Sequence, residues 1–147
     1  MHEQQLKRQH FIGWSEFSRL CTKLYNDIWP LHLDGIVGIG RGGLMIAAYL
    51  AHKLDVPLYS VFVRHVLTGG SKHIEVDDIQ DLAQFTGSSI LLVEDWLVHG
   101  QAIKAVKQHL PNFVNVHTLA LVAHPDAKED PDYAGLLTRD EIHFPYD

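Results

Sequence analysis

Two acidic residues follow a run of apolar residues in the second half of the chain. Residues 90–93 (Ile-Leu-Leu-Val) are typical of a strand buried on both faces of a parallel sheet, and Glu94 and Asp95 come directly after them. Open α/β sheets bind ligands at the carboxyl ends of their strands. Paired carboxylates at such a strand end can accept hydrogen bonds from vicinal sugar hydroxyls or hold a hydrated cation.

A glycine turn and a helix come next. Gly100 precedes residues 101–110, whose apolar positions share one helical face. Backbone N–H groups at the start of a helix can bind a phosphate. The order of strand, acidic pair, glycine turn and helix therefore suits a ribose 5-phosphate.

A second glycine-rich turn follows residues 35–39, which are predicted to form another buried strand. Gly38, Gly40 and Gly43 satisfy the dinucleotide pattern GxGxxG, but that pattern expects an acid about 20 residues later, where residues 63–65 are Val-Arg-His. The favoured interpretation is a pyrophosphate loop, because glycines let the backbone approach an anion and an arginine adds charge. The loop residues are Gly40, Arg41, Gly42 and Gly43.

Composition limits the class of protein. The 147 residues, 46% hydrophobic and 20% charged, predict a single domain, 1–147, without a transmembrane span or a signal peptide, so the cytoplasm is the expected location. A net charge of -6 argues against broad nucleic-acid binding, yet it is compatible with a phosphorylated small molecule. The single cysteine, Cys21, excludes an internal disulfide and falls in an apolar helical stripe, which predicts a buried hydrophobe.

The elements alternate along the chain. Helices are predicted from Ser15 to residue 28, over 44–54 and after Gly100, and strands over 10–14, 35–39, 58–63, 90–93 and 113–123. This order predicts an α/β fold, a doubly wound and mostly parallel five-stranded sheet. A receiver-like domain is disfavoured because no phosphoacceptor aspartate ends the first core strand.

Two segments stay ambiguous. Residues 64–79 carry glycines and cations, among them Lys72, and are either a mobile lid over an anionic substrate or a solvated hairpin loop. Residues 77–85 are either a helix or a strand.

The acidic stretch resembles the signature of the type I phosphoribosyltransferases. That signature is an apolar strand, two acids, two further residues, Asp-Thr-Gly, any residue and Thr, and Glu94, Asp95 and Gly100 match it. Residues 40–44 resemble the Ser-Arg-Gly-Gly-Leu loop of the xanthine-guanine and hypoxanthine members, with Gly40 in place of the serine. In those members the loop carries a nonproline cis peptide bond, so the resemblance implies one at Gly40–Arg41 or Arg41–Gly42. Residues 11–24 and 133–147 resemble the opening segment of the xanthine-guanine members and the small C-terminal hood that holds the base.

The resemblance implies a chemistry and a set of residues. It implies transfer of ribose 5-phosphate from 5-phosphoribosyl 1-diphosphate to a base like xanthine, guanine or hypoxanthine, with Mg²⁺ as cofactor, diphosphate as product and a homodimer as assembly. Asp95, Glu94 and Arg41 are the implied catalytic residues, and the two acids would also organise the metal. His124 stands where the relatives have a lysine that reads the 6-oxo group of the purine. The candidate substrate-binding residues are Gly40, Arg41, Gly42, Gly43, Lys72, Glu94, Asp95, Val98, His99, Gly100, Gln101, Ala102, His124 and Ile142.

An alternative function stays open, a catalytically weakened or inactive nucleotide-binding regulatory module on the same fold. Val98 stands at the position of the family's loop aspartate, and His99 and Ala102 stand at positions of hydroxyl residues. These three substitutions favour the module, whereas the acidic pair and the glycine loop favour the enzyme.

Overall fold

The computed structural model describes residues 6–77 and 80–147. In chain order, its elements are β1 (Gln9–Phe11), α1 (Trp14–Ile28), β2 (Gly35–Ile39), α2 (Gly40–Leu54), β3 (Leu58–Thr68), β4 (Ser71–Asp77), α3 (Gln80–Ala83), β5 (Ser89–Leu97), α4 (Gln101–Lys107), β6 (Asn115–Ala123), β7 (Tyr133–Leu137) and β8 (Glu141–His143).

The main sheet has the strand order β4-β3-β2-β5-β6-β7. All its neighbours pair in parallel except β3 and β4, which are antiparallel. The mostly parallel α/β fold is thus confirmed, but the expected count of five strands was wrong. The main sheet has six strands, because β4 and β7 join it and β1 pairs elsewhere.

Helices cover both faces of this sheet, as a doubly wound fold requires. On one face α1 and α2 pack against Ile36, Leu91 and Val93, and Leu24 and Ile28 of α1 are fully buried there. On the other face α3 and α4 pack against alternate residues of the same strands, such as Val37, Ile90 and Leu92. The continuous apolar runs of β2 and β5 exist because successive side chains enter opposite layers of the core.

The glycine loop is the first turn of a helix. Helix α2 begins at Gly40, four residues before the predicted start at 44, so the glycine loop forms its first turn, with Gly40 in a left-handed conformation. Helix α1 begins at Trp14, one position before the predicted start at Ser15, and Gly13 is its N-terminal cap.

The segment 64–77 is a two-stranded hairpin. Strand β3 continues to Thr68 and returns as β4 through Gly69 and Gly70, both with positive φ (58° and 81°), the conformation of a two-residue hairpin turn. Arg64 donates to Asp77 at 2.8 Å across the pair. Residues 64–77 therefore form a hairpin, and its role as a lid stays a prediction; residues 78–79 lie outside the described chain. In the ambiguous segment 77–85, residues 80–83 form helix α3.

A second, two-stranded sheet forms the hood. Strands β1 and β8 pair in parallel, with His10 opposite Ile142. The hood thus takes one strand from each end of the sequence, and residues 133–137 of the predicted hood belong to the main sheet as β7. Within residues 6–77 and 80–147, no helix combines the length and the apolar character needed to span a membrane.

Candidate active site

The acidic pair lies within β5. The strand does not end at Val93, as the sequence suggested, but continues to Leu97, and Glu94 pairs with Ala120 of β6. The parallel neighbour keeps hydrogen-bonding β5 beyond the apolar run. Strict alternation of side chains is interrupted here, since Val93 and Trp96 pack in one core layer and Leu92 and Leu97 in the other.

Asp95 faces α2 and the hood. Its Oδ1 accepts a hydrogen bond from the backbone N–H of Trp96 at 2.8 Å, and its Oδ2 accepts one from the hydroxyl of Tyr146 at 2.9 Å. Burial and the neighbouring Asp95 carboxylate raise the pKa of Tyr146, so the phenol keeps its proton and donates. Nothing in the sequence indicated the contact between Tyr146 and Asp95.

The glycine loop lies against the acidic pair. A Cβ added to Gly42 would lie 1.9 Å from Oδ2 of Asp95, and one added to Gly43 would lie 2.5 Å from the carbonyl oxygen of Val93. Only residues without a side chain allow this approach. The structure thus brings residues 40–43 and Asp95 to one edge of the sheet, and it places Arg41, whose side chain is exposed, beside them.

The expectation of a cis peptide bond in the glycine loop was wrong. Both Gly40–Arg41 and Arg41–Gly42 are trans, and the described residues contain no cis peptide bond. The chain instead turns into α2 through Gly40, which has a φ of 73°.

Glu94 is half-buried within β5. Its Oε2 is buried and has no hydrogen-bond partner within the described residues. Burial raises the pKa of Glu94 to about 7, and the charge of Asp95 adds to the increase. A hydroxyl donor or a cation that reached Oε2 would therefore stabilise the ionised form.

The turn at residues 98–102 lies beside a cavity with two cations. Gly100 is buried with a φ of 79°, and its backbone packs against Glu129. The cavity measures about 270 Å³ and is lined by His99, Gly100, Gln101, Lys104, Lys128 and Glu129. Sequence reasoning missed Lys104 and Lys128. The position of Lys104, one helical turn after Gly100, was an available signal, whereas nothing local pointed to Lys128.

Val98 and Ala102 are half-buried at the same turn, and Ala102 packs against the apolar layer that contains Ile103. Their side chains supply no donor to a ligand.

His124 follows β6 at the same edge of the sheet. Its Nδ1 accepts a hydrogen bond from the backbone N–H of Asp126 at 3.1 Å, so the neutral ring carries its proton on Nε2. A cavity of about 370 Å³ next to it is lined by Leu6, Lys7, Arg8, His124, Arg139 and Asp140. Lys7 and Arg8 were also missed, because nothing in their local sequence signals proximity to His124.

Two predicted substrate-binding residues are placed differently. The side chain of Ile142 is 3% exposed and belongs to the core, so it is not available to contact a base. Lys72 lies next to the hairpin turn opposite Leu67, beyond Val61, the last residue of β3 that pairs with β2. The structure does not bring Lys72 to the acidic pair.

The residues present fit a magnesium ion that arrives with a phosphorylated ligand. Within the described residues no cluster of three or more His, Cys, Asp or Glu side chains forms a metal cage. Mg²⁺ is usually bound by one or two carboxylates together with substrate oxygens and water. Asp95 and the unpartnered Oε2 of Glu94 supply such a donor set.

Comparisons with known proteins agree with this geometry. Residues 13–146 match the phosphoribosyl transferase domain family. The chain is 31% identical over 150 residues to a xanthine-guanine phosphoribosyltransferase of Idiomarina loihiensis, covering 95% of this chain and 88% of that protein. It is also 26% identical over 139 residues to the transcriptional regulator GfcR of Methanococcus vannielii, covering 88% of this chain and 67% of the regulator.

The solved structures show the same fold. A xanthine-guanine-hypoxanthine phosphoribosyltransferase of Helicobacter pylori superposes with a TM-score of 0.84 at 17% identity, over 95% of this chain and 94% of that one. The family match over nearly the whole chain and the glycine loop packed on the acidic strand lead to the same conclusion: this chain belongs to the phosphoribosyltransferase family and is a pentosyltransferase by class.

Proposed function

We propose that the protein transfers ribose 5-phosphate from 5-phosphoribosyl 1-diphosphate to a purine-type base that carries oxo groups, and releases diphosphate. The observation that carries the proposal is the contact between Gly42 and Asp95. It creates one cleft edge at which backbone amides and a carboxylate meet, as a sugar with phosphates at both ends requires.

In the proposed reaction the bond between the anomeric carbon and the diphosphate oxygen breaks, a bond from that carbon to a ring nitrogen of the base forms, and the proton of that nitrogen passes to water. Arg41 and the amides of Gly42 and Gly43 hold the departing diphosphate, and Asp95 and Glu94 accept hydrogen bonds from the ribose hydroxyls. When bound, Mg²⁺ supplies positive charge that neutralises the leaving group. Catalysis then depends on positioning and on charge stabilisation more than on a strong nucleophile.

The 5-phosphate is assigned to the turn at residues 98–102. The relatives' hydroxyl side chains are missing here, because Ala102 replaces one and His99 the other. In their place Lys104 and Lys128 line the adjoining cavity. Two ammonium groups and the local amides give a phosphate the charge-assisted hydrogen bonds that it needs.

The base is assigned to the space beside His124. Since Nδ1 of His124 is occupied by the N–H of Asp126, Nε2 is a donor and suits a carbonyl oxygen. Lys7 and Arg8 line the same cavity and add positive charge. An oxopurine, which presents a carbonyl oxygen to Nε2 of His124, fits these donors better than a base that presents an amino group there.

The test is a diphosphate-release assay with 5-phosphoribosyl 1-diphosphate, Mg²⁺ and xanthine, guanine, hypoxanthine or adenine. We expect release with one or more of the oxopurines and little with adenine. Asp95→Asn should reduce turnover at least about a hundredfold, the usual cost of losing a preorganised charged group. Wild-type protein without release on any base, or undiminished release by Asp95→Asn, would overturn the proposal.

A second candidate is a nucleotide-binding regulatory module. It is favoured by the apolar side chains at Val98 and Ala102 and by the similarity to the regulator GfcR. Calorimetry with purine nucleoside monophosphates separates the two functions: tight nucleotide binding without turnover of any base supports the module, and turnover excludes it.

A further inference from the structure

The ring of Tyr146 is fixed by aromatic neighbours. It stacks on Phe144 with a centroid distance of 5.3 Å and an interplanar angle of 9°, and it meets Phe17 of α1 edge-on at 5.9 Å. The ring of Trp14 is tilted against that of Tyr146, with the two ring centroids 6.3 Å apart. Helix α1 and the hood therefore leave this ring little freedom, and its hydroxyl has a defined position.

That hydroxyl holds one oxygen of Asp95, and the backbone holds the other. Tyr146 donates to Oδ2 at 2.9 Å, and the N–H of Trp96 donates to Oδ1 at 2.8 Å. With both oxygens bonded, the carboxylate has one orientation. A carboxylate oxygen accepts more than one hydrogen bond, so Oδ2 remains able to accept from a ligand.

The glycine loop lies against both atoms of this hydrogen bond, Oδ2 of Asp95 and the hydroxyl oxygen of Tyr146. A Cβ on Gly42 would lie 1.9 Å from Oδ2 of Asp95 and 2.8 Å from the hydroxyl of Tyr146. The hydroxyl thus fixes Oδ2 at the point where the acidic strand faces the proposed diphosphate loop.

We propose that Tyr146 is a positioning residue that holds the Asp95 carboxylate toward the ribose and diphosphate of the donor. This inference rests on the proposed function and extends it to a residue that contacts neither substrate. An aspartate without this bond samples several side-chain rotamers, and the donor then has to select the productive one. Tyr146 therefore acts on the donor and not on the base, although it belongs to the hood.

The variant Tyr146→Phe tests this inference, because it removes one oxygen and keeps the aromatic packing. The matched control is Tyr49→Phe. Tyr49 is half-buried against the same core layer, and its hydroxyl has no hydrogen bond within residues 6–77 and 80–147. Donor binding in Mg²⁺ is measured by calorimetry, kcat and KM are measured for donor and base, and thermal unfolding checks that each variant is folded.

Tyr146→Phe should weaken donor binding and lower kcat/KM for the donor roughly tenfold, as expected for one hydrogen bond to a charged group, with the base KM within about twofold. In an Asp95→Asn background the same change should have little further effect on donor binding, because the two residues act as a pair. Tyr49→Phe should behave as wild type.

Wild-type donor binding and kinetics in Tyr146→Phe would overturn this inference alone. Equal losses for donor and base, or an additive effect in the Asp95→Asn background, would also overturn it by showing general loosening of the hood. Wild-type protein that neither binds nor turns over the donor would overturn the proposed function, and this inference with it.

Discussion

Gly42 approaches Asp95 so closely that a Cβ on the glycine would lie 1.9 Å from Oδ2 of the aspartate. No carbon and oxygen can be that close without a bond. Any side chain at position 42 must therefore displace the carboxylate or the first turn of α2, and both belong to the proposed donor site.

Gly42→Ala is accordingly expected to abolish most of the activity. A displacement of about 1 Å at a reacting group typically costs on the order of a hundredfold in rate, so kcat/KM for the donor should fall by at least that factor. Gly13→Ala is the matched control, because a Cβ on Gly13 meets nothing within 4 Å. Full activity in Gly42→Ala would contradict the placement of the donor.

Glu94 should make stability depend on pH. Its pKa is raised to about 7 in the folded protein, from an ordinary value of 4.5, because of burial. Between these values the Glu94 carboxyl binds more protons in the folded state than in the unfolded state, so its contribution to stability is greatest below about pH 4.5, falls as pH rises and levels off above about pH 7. The loss at this buried site is on the order of 3 kcal/mol.

Glu94→Gln removes that titration. Urea unfolding at pH 5 and pH 8 should show that the variant loses less stability with rising pH than the wild type. Glu141→Gln serves as control, because Glu141 is exposed. Its loss of stability between pH 5 and pH 8 should equal that of the wild type. If the free energy of unfolding of Glu94→Gln changed between pH 5 and pH 8 as much as that of the wild type, Glu94 would not titrate as its burial requires.

Lys104 and Lys128 should bind the 5-phosphate. Replacing either with glutamine is expected to raise the donor KM roughly fivefold, the effect of losing one exposed charge-assisted hydrogen bond, while the base KM stays unchanged. Lys107→Gln is the control, since Lys107 lies on the same helix but does not line the cavity. Equal effects of Lys104→Gln and Lys107→Gln would indicate a general electrostatic effect instead of a site.

Cys21 should be inert in the native protein. It is 2% exposed, and burial raises the pKa of its thiol to about 11, so almost no thiolate exists near neutral pH. We expect no labelling by a thiol reagent such as iodoacetamide in native buffer, and labelling in urea at a rate that follows unfolding. Rapid stoichiometric labelling of native protein would contradict this burial.

The parts of the fold that depend on local pattern were predictable. The apolar residues of β2 and β5, the periodicity of α1 and the glycine turns before α2 and α4 each lie within a short stretch and have one physical interpretation. The acidic pair was found for the same reason, because two charges directly after a buried run require an explanation.

The parts that depend on distant partners were not predictable. Strand β7 is short and contains Gly135, so only its pairing with β6 makes it a strand. The bond between Tyr146 and Asp95 joins residues 51 positions apart, and Lys128 reaches the cavity from a loop without regular structure. Ile142 was assigned to a ligand because the hood as a whole resembled a base site, whereas its own side chain faces the core.

The parallel pairing of β1 with β8 makes the hood a late element of folding. Strand β1 has no partner until residues 141–143 have been made, since Gln9 pairs with Glu141. Such a long separation along the chain places this contact late in folding, whereas β2, α2 and β3 can assemble from neighbouring segments. On a growing chain the Asp95 carboxylate therefore lacks the hydroxyl of Tyr146 until residue 146 has been made, so its orientation is fixed long after its own strand has been synthesised.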